Sequence, residues 1–175
     1  MKRKAVCFIL ILAAFLFQTS IWGLLPFGQV KPNLLIALTV SFGFMHGKRS
    51  GMYIGFVSGL LIDIFYGEFF GFNALVYMYA GYLTGKLYKV FFDEDIRVPL
   101  LLTGAAELGY SIIHYIFILI FRARYNPLAY FRHIVMPELI LTLIVTLIFY
   151  RLFYYINRKL TEGEIEEQES PWLLR

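Results

Sequence analysis

The sequence predicts an all-α integral membrane protein, a bundle of about six transmembrane helices with both termini in the cytoplasm. Hydrophobic residues make up 59% of the 175-residue chain and charged residues only 16%, whereas a soluble domain carries about 25% charged residues. A soluble fold cannot hide so much apolar surface, but a bilayer solvates it. Apolar runs fill residues 1–160, which we predict to be one polytopic membrane domain. Residues 161–175 are predicted to be an acidic cytoplasmic tail.

The distribution of charge predicts the orientation of the chain. Residues 1–160 contain 15 basic and seven acidic residues, and an inside N-terminus places twelve of the chain's 16 basic residues on the inner side. This bias follows the positive-inside rule, and no motif points to nucleic-acid binding. Arg122, Arg124 and Arg132 oppose the rule on the outer side. We expect at least one of them to pair with Glu138 or Asp63, which would explain the exception.

The first predicted segment covers residues 5–25. It follows three basic residues but lacks a small-x-small cleavage site, so we expect an uncleaved first helix rather than a removed signal. The second segment covers residues 33–46, after Pro32, and Asn33 is predicted to be its N-cap.

The third predicted segment covers residues 51–66, and a short basic turn at 47–50 precedes it. Fourteen residues of helix span about 21 Å, less than the roughly 30 Å of a bilayer core, so segments two and three are short. A re-entrant hairpin is the alternative, but it would place Lys48 and Arg49 at mid-membrane at about 2.5 kcal/mol or more each. We therefore predict two short crossings with local bilayer thinning.

The remaining segments complete the count of six. They cover residues 73–92, 99–121 and 134–156, separated by a solvated loop at 93–97 and a polar connection at 122–133. Asn73 is predicted to cap the fourth helix, and Pro137 suits the first turn of the sixth. From residue 157 the chain is predicted to be a polar tail.

A ladder of glycines marks the third segment. Gly51, Gly55 and Gly59 recur every four residues, and Asp63 occupies the next step. On a helix these residues share one slowly winding face, where small side chains allow another helix to approach closely. That helix belongs either to this bundle or to a partner protein. Our hypothesis is a partner-docking face with Asp63 as a polar lock.

Ionisable residues interrupt the apolar segments at Asp63, Glu107, His114 and Glu138. Such groups are costly in lipid, so we expect them to face the bundle interior and to be paired. Lys86 is the expected partner of Glu107. The polar residues of segments five and six recur at helical spacing and predict two inward-facing stripes: Thr103, Glu107, Ser111 and His114 on one, and Glu138, Thr142 and Thr146 on the other. A proton or ion pathway is the alternative use of these groups.

Catalytic and metal-binding patterns are absent from the sequence. The single cysteine, Cys7, excludes cysteine clusters, and no H-E-x-x-H spacing occurs. A paired-aspartate membrane protease needs two aspartates in the spans, and only Asp63 qualifies. We therefore predict a protein that is not an enzyme and binds neither a cofactor nor a metal.

Several short motifs mark the second, third, fourth and sixth predicted segments, and their order along the chain is characteristic. Pro32-Asn33-Leu34-Leu35 opens the second segment, and Gly51, Gly55, Gly59 and Asp63 follow in the third. Phe70-Gly71-Phe72-Asn73-Ala74 opens the fourth, and Pro137-Glu138 opens the sixth. Together they resemble the bacterial rod shape-determining MreD family over roughly residues 5–160.

The resemblance implies a non-enzymatic scaffold of the cell-elongation machinery in the bacterial inner membrane, supporting lateral peptidoglycan synthesis. The partners it implies are the bitopic protein MreC, the actin-like MreB, the glycosyltransferase RodA and a class B penicillin-binding protein. The fold of the family is similar to the six-helix S-components of vitamin transporters. An S-component that binds a small molecule is therefore the alternative. Docking in S-components uses small-residue spacing on the first helix, which Ala13-Ala14-Phe15 lacks, so the ladder on segment three favours a protein partner.

Overall fold

The structure, a computed structural model, describes residues 2–21, 31–67, 69–87, 96–122 and 126–169. Every element in these ranges is helical, which confirms the all-α class. The elements are α1 (Lys2–Leu16), α2 (Leu34–His46), α3 (Lys48–Tyr66), α4 (Phe72–Leu87), α5 (Arg97–Arg122), the single-turn α6 (Pro127–Tyr130) and α7 (Met136–Glu169). A π-helical turn at Phe17–Ile21 continues α1, and another at Phe131–Val135 joins α6 to α7. The six longer helices correspond to the six predicted segments.

Two stretches are long and apolar enough to cross a membrane by length and composition, Arg97–Ile120 and Pro127–Ile156. The stretches Ala5–Ser20 and Leu34–His46 are apolar but shorter. The predicted ends of segment one at 22–25 and of segment four at 88–92 lie outside the described residues, as does most of the predicted loop at 93–97.

The predicted basic turn at 47–50 is wrong, because only Gly47 separates α2 from α3. Gly47 has a φ of 80°, a left-handed conformation that glycine adopts readily, and its N–H donates to the carbonyl of Gly43 at 2.9 Å. A single residue therefore reverses the chain, and Lys48 begins the next helix. The resulting α3 has 19 residues, about 28 Å of helix, so it is longer than the short crossing that we predicted.

The predicted polar connection at 122–133 is also shorter than expected. Asn126 caps α6 by accepting from the N–H of Leu128 at 3.2 Å, and helical structure then continues without a break into α7. Pro137 lies at the second position of α7, as predicted for a first turn. The helix runs on to Glu169, beyond residue 157, where the sequence predicts that the last apolar segment gives way to a tail. The division of the chain at residue 161 stays a prediction.

Helix α2 lies in the middle of the bundle. Its residues from Leu34 to Phe44 are all buried, and the helix contacts α1, α3, α4, α5 and α7. A helix that is apolar on every side is typical of such a central position. Because α2 is surrounded by protein along most of its length, its 13 residues do not need to match the thickness of a bilayer.

Helices α3 and α4 form an antiparallel hairpin with the most extensive helix–helix contact in the described part of the chain. Gly71, with a φ of 94°, supplies the left-handed residue just before α4 begins. This hairpin packs against α2, which brings the starts of α2, α4 and α7 and the ends of α1 and α3 to the same end of the bundle.

Candidate functional site

The glycine ladder of α3 lies against α4 of the same chain. Gly51, Gly55 and Gly59 are buried. A Cβ atom at any of the three would collide with the α4 backbone, at the carbonyl groups of Gly81, Tyr77 and Asn73 respectively. The α4 helix has its own small residue at this contact, because a Cβ on Gly81 would meet the carbonyl of Gly51. The two backbones therefore approach as closely as the spacing of small residues allows.

Our hypothesis that these three glycines dock a partner helix is wrong. The α4 helix already covers the face, so a partner cannot reach it. Packing within the bundle, the alternative that the sequence left open, is the arrangement observed. Asp63, the expected polar lock, likewise joins α3 to α4 of the same chain.

Asp63 is buried at the end of α3 and caps α4. One carboxylate oxygen accepts from the backbone N–H of Gly71 at 3.0 Å and of Ala74 at 2.9 Å. The other accepts from the backbone N–H of Asn73 at 3.1 Å and from its side-chain Nδ2 at 2.9 Å. A carboxylate at a helix N-terminus satisfies the free N–H groups and complements the helix dipole. Asn73, the predicted cap, is instead the second residue of α4, and its backbone N–H and side-chain amide both donate to Asp63.

The expected arginine pairs are not observed where the structure describes them. Both oxygens of Asp63 already accept two hydrogen bonds each. Arg132 is exposed, and in the described ranges no ion pair joins it to Glu138. Arg132 therefore does not supply the expected pair. The Arg122 side chain and Arg124 lie outside the described residues, so the expectation that at least one of the three arginines pairs with Glu138 stays a prediction.

Asn33 caps α2, as the sequence predicts, and follows the buried Pro32. Its side-chain oxygen accepts from the N–H of Ile36 at 3.3 Å and from the hydroxyl of Tyr77 at 2.6 Å. Its own backbone N–H donates to Oγ1 of Thr142 at 2.9 Å. One buried residue thus ties α2 to both α4 and α7.

Two tyrosines extend this contact toward Asp63. The Tyr110 hydroxyl donates to Oδ1 of Asn73 at 3.1 Å, and the rings of Tyr110 and Tyr77 meet edge to face with centroids 5.5 Å apart. Asn33, Asp63, Asn73, Tyr77, Tyr110 and Thr142 therefore form one set of buried and half-buried groups, the polar network. Sequence reasoning missed the role of both tyrosines, since an aromatic ring in a membrane segment also suits packing or an interface belt.

Glu107 is fully buried on α5, and neither carboxylate oxygen has a hydrogen-bond partner within the described part of the chain. Asn33 and Glu138 lie close enough to interact with it electrostatically. Lys86, its predicted partner, is exposed, so that pairing is wrong. Thr103, Glu107 and Ser111 on α5 are buried, as are Thr142 and Thr146 on α7, which confirms that the stripes face inward there.

A cavity of about 240 Å³ opens beside the polar network. Its wall includes Gln18, Lys31, Asn33, Tyr77, Tyr110 and Glu138. Glu138 is half-buried, and Lys31 is exposed at the rim. The predicted site residues thus divide into three groups: Gly51, Gly55 and Gly59 seat α4, Asp63, Asn33 and Asn73 join helix ends, and Glu107 and Glu138 lie at or behind the cavity.

The described residues hold no group of three or more histidine, cysteine, aspartate or glutamate side chains that could ligate a metal. His114 lies on α5 with Nδ1 3.3 Å from the Tyr130 hydroxyl. The hydrogen bonds of the polar network connect the helices to one another, which suits a structural function.

Comparison with known proteins identifies one family. A family model described as rod shape-determining protein MreD matches residues 2–160. No curated protein and no solved structure matches the chain. The match confirms the resemblance seen in the sequence motifs. It covers α1 to α6 and most of α7.

Proposed function

The chain belongs to the MreD family of rod shape-determining proteins, and we propose that it is a non-enzymatic, multi-pass scaffold of the cell-elongation complex in the bacterial cytoplasmic membrane. The family match over residues 2–160 carries this proposal. It gives the chain a role in determining rod shape. Support of lateral peptidoglycan synthesis and docking of an MreC-type bitopic protein are the finer parts of the proposal, with MreB, RodA and a class B penicillin-binding protein as further partners.

The outer surface of the bundle supports a membrane setting. Large apolar side chains are exposed along both long helices, at Leu101, Ile113, Ile116 and Ile120 on α5 and at Ile140, Ile144, Ile148 and Leu152 on α7. In water such a surface would drive aggregation, whereas lipid solvates it. The polar stripes of the same helices, Thr103, Glu107 and Ser111 on α5 and Thr142 and Thr146 on α7, face inward. We propose that α1–α5 and α7 are the six spans.

The interior supports a scaffold more than an enzyme. Asp63 and Asn33 use their hydrogen-bonding capacity to cap helices of the same chain. Such groups order a fold rather than activate a substrate. Because α4 occupies the glycine face of α3, a partner helix has to dock on the outer surface that the exposed apolar residues form.

Affinity purification from membranes tests the proposal. We expect an MreC-type protein to co-purify with the tagged chain, and depletion of the chain in a rod-shaped host to give rounded cells. A host that stays rod-shaped after depletion, together with purification free of any MreC-type protein, would contradict the scaffold. Co-purification of transporter ATPase subunits would support the S-component alternative instead.

The variant Gly55→Leu separates the two roles that the sequence allowed for the ladder. Because Gly55 packs against the backbone of α4, we expect the variant to lose folded protein and complex together. A variant that folds and inserts normally yet releases the MreC-type partner would instead restore the docking role of this face.

A further inference from the structure

The cavity beside the polar network carries two opposite charges that do not pair with each other. Lys31 and Glu138 both line it, and among the described residues no ion pair joins them. The ammonium group of Lys31 lies over the ring of Tyr66, 6.0 Å from its centroid, at the rim. A basic and an acidic side chain that face one cavity without pairing with each other suit a ligand that itself carries both signs.

The wall near Glu138 is rich in hydrogen-bond acceptors. Tyr110 is only half-buried, and its hydroxyl already donates to Asn73, so it can offer a ligand only its oxygen lone pairs, which accept hydrogen bonds. Glu138 adds a carboxylate, and Glu107 lies behind it within electrostatic reach. The faces of tyrosine rings also attract cations. This side of the cavity therefore suits an ammonium group, and Lys31 suits an anion.

A second cavity, of about 270 Å³, shares Ile62, Tyr66 and Tyr110 with the first. Its wall is mainly aromatic and apolar, with Phe69, Phe72, Phe117 and Ile118 among its residues. A polar cavity with opposite charges beside an aromatic one suits an amphipathic ligand, whose charged end and apolar part need different surroundings.

We propose that these adjoining cavities bind an amphipathic zwitterion, with its ammonium group at Glu138 and Tyr110 and its anionic group at Lys31. A lipid headgroup that carries an amine and a phosphate has this chemistry, and so does a free zwitterion of similar size. Binding of such a ligand goes beyond the scaffold function, because it would place a small molecule among the ends of five helices.

Binding measurements on the purified full chain in an uncharged detergent test the proposal. The probes are dihexanoyl phosphatidylethanolamine, its soluble headgroup glycerophosphoethanolamine, and dihexanoyl phosphatidylglycerol, which carries the anion without the amine. We expect an ethanolamine probe to bind about tenfold or more tightly than the glycerol lipid, as a charge-assisted contact implies. Tighter binding of the short-chain lipid than of the soluble headgroup supports an amphipathic ligand from the membrane. Equal binding of the two would overturn the role of the second cavity and leave a free zwitterion held by the charged groups alone.

Variants assign the two charges. Glu138→Gln is expected to abolish the preference for ethanolamine over glycerol, and Glu138→Asp to keep it. Lys31→Gln is expected to weaken the ethanolamine probes about tenfold, and because Lys31 is exposed this change leaves the fold intact. Lys86→Gln, at an exposed lysine on α4, is the matched control and should change nothing. Equal affinity for the two lipids, an unchanged preference in Glu138→Gln, or no saturable binding of either ethanolamine probe would overturn the proposal.

Discussion

The α3–α4 hairpin and the α5–α7 pair are built by opposite means. In the hairpin, glycines bring two backbones into direct contact, and one carboxylate, that of Asp63, accepts four hydrogen bonds. In α5, a Cβ atom added at Gly104 would meet the Leu143 side chain at 3.5 Å, and one added at Gly109 would meet no other side chain or helix within 4 Å in the described part of the chain. The carboxylate of that region, Glu107, is buried without a hydrogen-bond partner in the described chain. Glycines and buried acidic residues therefore have different structural roles in the two regions, although the sequence alone does not distinguish these roles.

The largest expected effect comes from adding one methyl group to the hairpin. Gly55→Ala forces a Cβ atom into the carbonyl of Tyr77, and backbone atoms cannot rotate away as a side chain can. We expect a loss of about 3 kcal/mol of unfolding free energy, at the upper end of overpacking effects. Thermal unfolding in detergent measures it.

The matched control for this substitution lies in α5. Gly109→Ala adds the same methyl group where none of the described neighbouring helices or side chains lies within 4 Å, and we expect it to be neutral or to stabilise by about 0.5–1 kcal/mol through helix propensity. Equal unfolding temperatures for the two variants would show that the hairpin is not a backbone contact.

Removing the carboxylate of Asp63 is expected to have the next largest effect. Asp63→Ala leaves three backbone N–H groups and the Asn73 amide without their acceptor, and we expect a cost of about 2–3 kcal/mol. Asp63→Asn keeps one acceptor oxygen and should cost less, about 1 kcal/mol. The exposed cap of the single-turn α6 serves for comparison, and Asn126→Ala is expected to cost no more than about 0.5 kcal/mol. A smaller loss for Asp63→Ala than for Asn126→Ala would refute the capping role.

The cap of α2 shows what local sequence can predict. Asn33 follows a proline and precedes an apolar run, and each of these signals acts over a few residues. The inward stripes of α5 and α7 likewise follow from helical spacing alone. The family itself could also be identified, because its motifs keep their order along the chain.

The cap of α4 could not be predicted in the same way. Asp63 lies ten residues before Asn73, and only the reversal of the chain brings its carboxylate to the start of the next helix. Spacing likewise defines which face of α3 carries the glycines, but not which helix covers that face. The partner predicted for Glu107, Lys86, was wrong for the same reason, since charge matching in a sequence gives no distances.

The hydroxyl of Tyr77 connects the hairpin to the start of α2, and its removal should have a moderate effect. Tyr77→Phe deletes the 2.6 Å hydrogen bond to Asn33 and leaves the ring in place, so we expect a loss of about 1 kcal/mol. Tyr79→Phe, two residues along on the exposed side of α4, is the control and should have no measurable effect. The comparison uses the same unfolding assay. An unaltered midpoint for Tyr77→Phe would mean that Asn33 holds α2 without help from α4.

The smallest expected change in unfolding free energy is that of a substitution at Glu107. Its sign should be opposite to that of the same chemical change at Asp63. The Glu107 oxygens make no hydrogen bond within the described chain, although the Asn33 side chain lies near. A charge there would therefore cost desolvation with little compensation from hydrogen bonds. Glu107→Gln, which keeps the shape and removes the charge, should therefore be neutral or stabilise the fold by up to about 1 kcal/mol. Asp63→Asn, the same chemical change in the hairpin, should destabilise it. A loss in Glu107→Gln as large as that in Asp63→Asn would show that both acids hold the bundle together and that the distinction between the regions is wrong.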